Sequence, residues 1–215
     1  PVKSQLSFCR KKTTNDKTKN LANACTARDW RKRVVKRFCR KSGRYTMIVH
    51  NCYNTTDPSI GLKMNQDRTL LKYYMGDTGL LISHAFDENG SVPQEIYRKL
   101  LLDKLEVDMG MVMENIVAQM LVSKDHKLYF YSNPDRENKE NRMEIDFLIA
   151  KSAITNRHNI SPIEVKSSKN YTLKSLQKFM VKYSEQLHIP YVLHPGDLME
   201  KDGMTYLPLY MTSFL

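Results

Sequence analysis

Ile163-Glu164-Val165-Lys166 sets a carboxylate and an ammonium two residues apart within an apolar run. In a β-strand, a period of two puts both on one face. A second carboxylate, Asp146, sits in the run 143–150, and a third, Glu114, sits in the run 107–123. Phosphodiester hydrolysis needs an activated water and neutralisation of charge on the phosphate and the leaving oxygen. Mg²⁺ or Mn²⁺ supplies both when carboxylates hold it with positions left open for water and phosphate. A lysine beside the ion can orient the water or stabilise developing charge. Glu114, Asp146 and Glu164 are therefore the candidate metal ligands, and with Lys166 they make up the candidate catalytic set. Each also has a plainer reading. Glu-x-Lys on a strand is commonly a solvated face with a cross-strand ion pair. An acid beside a helical stripe is commonly a surface residue, and a lone strand aspartate can simply face water.

The elements that must position these residues are legible as hydrophobic patterns. Residues 107–123 predict a helix whose apolar face is Met113, Ile116, Val117, Met120 and Leu121, with Glu114 at its edge. Residues 127–131 predict a short strand and residues 133–142 a polar loop. Residues 143–150 predict a strand with Met143, Ile145, Phe147 and Ile149 on one side and Glu144, Asp146 and Leu148 on the other. Residues 160–166 predict the next strand. Thr172 can cap a helix over 173–187, and 190–194 predict a last short strand. The order is α-β-β-β-α-β. Upstream, 46–53 reads as a strand and 54–58 as a turn, and the apolar stretches 70–75 and 80–82 flank Gly76-Asp77-Thr78-Gly79. Residues 93–102 read as a helix.

Charge divides the chain. Residues 1–45 hold 15 Lys and Arg against two acids, a net charge of +13, while the remaining 170 residues hold 19 basic and 21 acidic groups. A basic end can grip nucleic acid through its phosphates. A disordered or non-native end accounts for the same composition. The four cysteines, Cys9, Cys25, Cys39 and Cys52, contain no C-x-x-C pair, and free thiols are expected. No apolar run is long enough for a membrane span, and the first residues are polar and basic without the apolar middle of a secretory signal, so a cytoplasmic protein that does not engage a membrane is expected. The six histidines show no ligand spacing, and Tyr129 and Tyr131 are read as core residues rather than base-stacking platforms.

A resemblance draws these features together. The run Tyr73-Tyr74-Met75-Gly76-Asp77-Thr78-Gly79-Leu80-Leu81 is followed by Glu114-Asn115, Glu144-Ile145-Asp146-Phe147-Leu148 and Pro162-Ile163-Glu164-Val165-Lys166-Ser167. Together they resemble the domain of unknown function found C-terminal to the P-loop module in predicted AAA-type ATPases of bacteria and archaea. That domain is similar to the PD-(D/E)XK nuclease superfamily. The resemblance spans about 46–215. It implies an α/β, restriction-endonuclease-like core over about 105–195, a mixed sheet flanked by helices, after a small α+β segment and the basic tail. It places Asp146, Glu164 and Lys166 at the superfamily's metal and catalytic positions and Glu114 at its helix acid. It implies Mg²⁺ or Mn²⁺ as cofactor, DNA as a nucleic-acid partner, and a P-loop ATPase module or subunit as a second partner. Ile145 stands where the superfamily usually has proline; some of these nucleases carry glutamine with tyrosine four residues later on the following helix, and here Gln177 is followed at that spacing by Val181. No G-x-x-x-x-G-K-[ST] occurs in the chain, so no ATP site and no ATP hydrolysis are expected. The break in composition near residue 46 suggests a fragment with a frameshifted or truncated end.

Three functions share this fold. One is a metal-dependent nuclease, another a non-catalytic DNA- or protein-binding domain of an ATPase, and the third a truncated product. Divalent-ion binding that needs Asp146 and Glu164 is expected of the first alone.

Overall fold

The apolar runs between 143 and 194 become the centre of one mixed sheet. The computed structural model describes residues 49–58, 61–86, 94, 95, 98, 109–135, 138, 141–150, 159–168 and 170–215. The elements are β1 (Val49–Thr55), β2 (Gln66–Met75), α1 (Thr78–Phe86), α2 (Met109–Ser123), β3 (Tyr129–Asn133), β4 (Met143–Ala150) and β5 (Ile160–Val165). They continue with α3 (Lys174–Lys182), β6 (Tyr191–His194), β7 (Met199–Lys201), β8 (Met204–Pro208) and a 3₁₀ helix, Leu209–Phe214. Eight strands lie in the order β2-β1-β3-β4-β5-β6-β8-β7. The β3–β4 and β4–β5 pairs are antiparallel, and β5–β6 and β6–β8 are parallel. The protein is therefore mixed α/β. Residues 1–45 and most of the helix expected over 93–102 lie outside the described residues.

Helices cover both faces of the sheet, because the central strands are apolar on both sides. β5 is buried along its whole length. On one face Val117, Ala118 and Leu121 of α2 pack with Phe147, Ile163, Val165 and Leu193. On the other, Leu176 and Phe179 of α3 pack with Tyr131, Ile145, Leu148 and Val192. Tyr129 and Tyr131 are buried there as core residues. The buried stripe of α2 is Met111, Val112, Asn115, Val117, Ala118 and Leu121. It is rotated from the expected stripe, since Ile116 and Met120 are only half-buried.

β4 departs from strict alternation. Tyr131 pairs with Ile145, but Tyr129 pairs with Leu148, so β4 carries one extra residue at Asp146-Phe147. A β-bulge of this kind turns the chain over locally. Met143, Ile145 and Leu148 therefore face α3, while Phe147 and Ile149 face α2. This corrects the expectation that Phe147 shares a face with Met143 and Ile145.

Two further expectations are corrected at the C-terminal end. Thr172 does not cap α3: Leu173 is the N-cap, without a side-chain cap, and the helix stops at Lys182. The chain then turns and Leu187 bridges to Ile160. β6 is not the last strand either. Asp202 and Gly203, both at positive φ, close the β7–β8 hairpin, the conformation a two-residue primed turn requires.

Gly76-Asp77-Thr78-Gly79 proves to be a helix start. Asp77 Oδ1 accepts the Leu80 N–H at 2.6 Å, which satisfies an orphan donor of α1. Asn115 of α2 anchors the same turn. Its Oδ1 accepts the Met75 N–H at 2.7 Å, and its Nδ2 donates to the Met75 carbonyl at 3.1 Å and the Thr78 hydroxyl at 2.9 Å. Asn115→Leu keeps the branched shape, adds bulk and strands these buried partners. It is expected to cost about 2–3 kcal/mol, read as a lower urea midpoint.

Candidate functional site

The bulge in β4 sets the site. The β4–β5 register pairs Phe147 with Ile163, which brings Asp146 beside the end of β5. There Asp146 Oδ2 accepts the Val165 N–H at 2.9 Å. A side-chain bond thus stands where the ladder would otherwise continue, and it fixes one carboxylate oxygen.

Glu164 is buried in the middle of the sheet, paired in register with Val192 of β6. Its Oε1 accepts a bond from Lys166 Nζ at 2.7 Å. Its Oε2 is buried with no hydrogen-bond partner. Glu114 is half-buried on α2, and its Oε2 accepts the Tyr74 hydroxyl at 3.0 Å. Lys72, from β2, sits 2.9 Å from Glu144 Oε1 and 3.8 Å from Asp146 Oδ1, with its ammonium 5.0 Å from the centre of the Phe130 ring.

Electrostatics makes one cluster of these groups. Burial pushes the Asp146 carboxyl well up, and the Glu164 and Glu114 charges push it further, against Lys72 and the Val165 N–H. Burial also pushes Glu164 up, against the pull of Lys166 and Lys72. Burial alone would lower the Lys72 ammonium, but Asp146, Glu114 and Glu144 outweigh it and hold Lys72 above its ordinary value. Burial raises the free thiol of Cys52, which pairs in register with Lys72. With every group ionised, Glu114, Glu144, Asp146 and Glu164 outnumber Lys72 and Lys166 by two charges.

The four expected residues thus fall into one electrostatic neighbourhood, by two routes. Glu164 pairs with Lys166, and Asp146 pairs with Lys72. Among the described residues no three His, Cys, Asp or Glu side chains form a group that could hold a metal ion. Two carboxylates nevertheless suit Mg²⁺, a hard ion that keeps several waters and takes one or two carboxylates plus substrate phosphate. The orphaned Oε2 of Glu164 is the oxygen such an ion would satisfy. In donor chemistry the pair is two carboxylates, and in charge the cluster is net negative.

Lys72, Tyr74 and Glu144 were not expected at the site. A signal for Lys72 exists. Leu70, Lys72 and Tyr74 share a strand face, and Leu70 and Tyr74 belong to the core on the α2 side. A lysine between two core positions needs an anionic partner. Gln177 is exposed on α3.

The cluster predicts an unusual pH response. Carboxylates whose folded pKa is raised stabilise the fold below their unfolded pKa and lose that contribution as pH rises through the folded value. For Asp146 and Glu164 the window opens above about 4 and extends upward. His50, lowered by burial, pulls the other way below its ordinary value of 6.5. The difference between wild type and an Asp146→Asn/Glu164→Gln variant isolates the carboxylates. In urea melts without divalent ions, wild type should gain on the variant as pH falls from 7 to 5. A constant difference would contradict the shifts.

No helix among the described residues is long and apolar enough to cross a membrane. No curated protein and no solved structure matches the chain. Residues 109–211, from α2 to the C-terminal 3₁₀ helix, match the model of one family, described as Domain of unknown function (DUF4143).

Proposed function

We propose that the chain is a nuclease-like domain whose clustered acids take Mg²⁺ or Mn²⁺ for the hydrolysis of phosphodiester bonds in DNA. The observation that carries the reading is the pair of carboxylates at the β4 bulge, Glu164 buried and Asp146 half-buried. Asp146 is fixed by the Val165 N–H, and Glu164 keeps a buried oxygen without a partner. Asp146 and Glu164 would hold the ion, and Glu114 borders them through Tyr74. When bound, the ion supplies charge neutralisation on phosphate and a lowered pKa for water. Lys166, two residues beyond Glu164, is the group that orients the attacking water or meets charge developing on the phosphate. The helix–strand–strand–strand–helix–strand order from α2 to β6 supports a restriction-endonuclease-like core. The resemblance of the same segments to ATPase-associated domains supports a place beside a P-loop ATPase module.

A non-catalytic binding domain is the second reading, favoured by the two ion pairs that already engage Glu164 and Asp146. Incubation of supercoiled and single-stranded DNA with wild type in Mg²⁺ or Mn²⁺ separates the two. Cleavage that is lost in Glu164→Gln and Lys166→Met supports the nuclease. DNA binding without cleavage, unchanged in Asp146→Ala, supports the binding domain.

A further inference from the structure

Lys72 reaches the acids from β2, which lies beyond β1 and β3 in the sheet. Its ammonium makes a close bond to Glu144, the more exposed acid, and a looser contact to Asp146, whose side chain is mostly buried. Asp146 Oδ2 already accepts the Val165 N–H, so Oδ1 is the oxygen with more acceptor capacity left for a cation. That is the atom Lys72 faces. An ion bound to Oδ1 would sit about 2.1 Å from it, within a few ångströms of the ammonium, and like charges at that range repel strongly.

We infer that Lys72 is the resident counter-cation of the acid cluster, competing with a divalent ion for Asp146 Oδ1 and retreating onto Glu144 when the ion binds. The inference rests on the divalent-ion site proposed above and adds a competitor within the chain. Lys72 is a positioning residue on this account: it touches neither phosphate nor the attacking water. It sets the ion concentration at which the site fills, so the domain stays empty of divalent ion below a threshold.

The test is a calorimetric titration of Mn²⁺ into wild type, Lys72→Met and Lys72→Arg. Lys72→Met should bind about tenfold tighter, within the range of ordinary site-to-site coupling, while Lys72→Arg stays near wild type. Binding that is unchanged or weaker in Lys72→Met would overturn the inference while wild-type binding still upheld the ion site. Binding by Lys72→Met but not by wild type would support the inference and overturn the nuclease reading of the native chain. No binding by either would overturn both. If Lys72→Met does not fold, amine acetylation of wild type followed by mass spectrometry decides. Saturating Mn²⁺ should raise the labelling rate of Lys72 several-fold, and an unchanged rate would overturn the inference.

Discussion

Phe147→Ala is expected to destabilise the protein by about 3–5 kcal/mol, the cost of deleting a fully buried aromatic ring. Phe147 is 0% exposed, and its ring lies 5.2 Å from that of Tyr74 at 39°. The bulge is the reason for the large effect. Without the extra residue in β4, Phe147 would join Met143 and Ile145 on the α3 side. With it, Phe147 fills the layer under α2 with Val117, Leu121 and Ile163. The lost ring would also release Tyr74, whose hydroxyl holds Glu114. A drop of roughly 10 °C or more in Tm is expected for a chain of this size. Val181→Ala is the control: Val181 is 83% exposed, and a change within about 0.5 kcal/mol is expected. A Phe147→Ala variant as stable as the control would mean that the bulge does not turn this ring inward.

Much of the core was readable from hydrophobic period alone. β4 has the expected bounds, β5 is shorter by one residue, and the element order from α2 to β6 is the expected one. These strands are apolar enough to be buried on both faces, which makes the signal strong. The bulge was not readable, because it is a property of two paired strands. Period two applied to β4 alone gives the wrong face for Phe147, and the partner β3 shifts the register. Lys72 was missed for a related reason. Its neighbours in sequence are apolar, and its partners Glu144 and Asp146 lie over 70 residues away. The β7–β8 hairpin is different. Asp202-Gly203 between Met199–Lys201 and Met204–Pro208 is a strong local hairpin signal, and the short, exposed β7 gave no apolar run to draw attention to it.

The site itself was half legible. Glu164 and Lys166 were expected on one strand face, and they form an ion pair at 2.7 Å, the pairing expected of the non-catalytic reading. Asp146 was expected near them, and its hydrogen bond to Val165 puts it there. The convergence of three acids on one ion is not present as a ready-made group among the described residues. Lys72 explains this in part: Asp146 already faces an ammonium.

Loss of either carboxylate, Asp146 or Glu164, should abolish divalent-ion binding, and this is the larger of the expected effects on function. Burial raises the pKa of Glu164 and of the half-buried Asp146, so their negative charge is costly even with Lys166 and Lys72 beside it. Removing one halves the proposed ligand set and leaves the other paired with its own lysine. The affinity should fall by at least roughly a hundredfold, more than an outer partner's usual cost of about 10–100-fold. The decisive measurement is a calorimetric titration of Mg²⁺ and Mn²⁺ into wild type, Asp146→Ala and Glu164→Ala, each checked for folding by circular dichroism. Saturable binding by wild type that both substitutions remove is the predicted result. Well-folded wild type that binds neither ion, or binding that survives both substitutions, would contradict it.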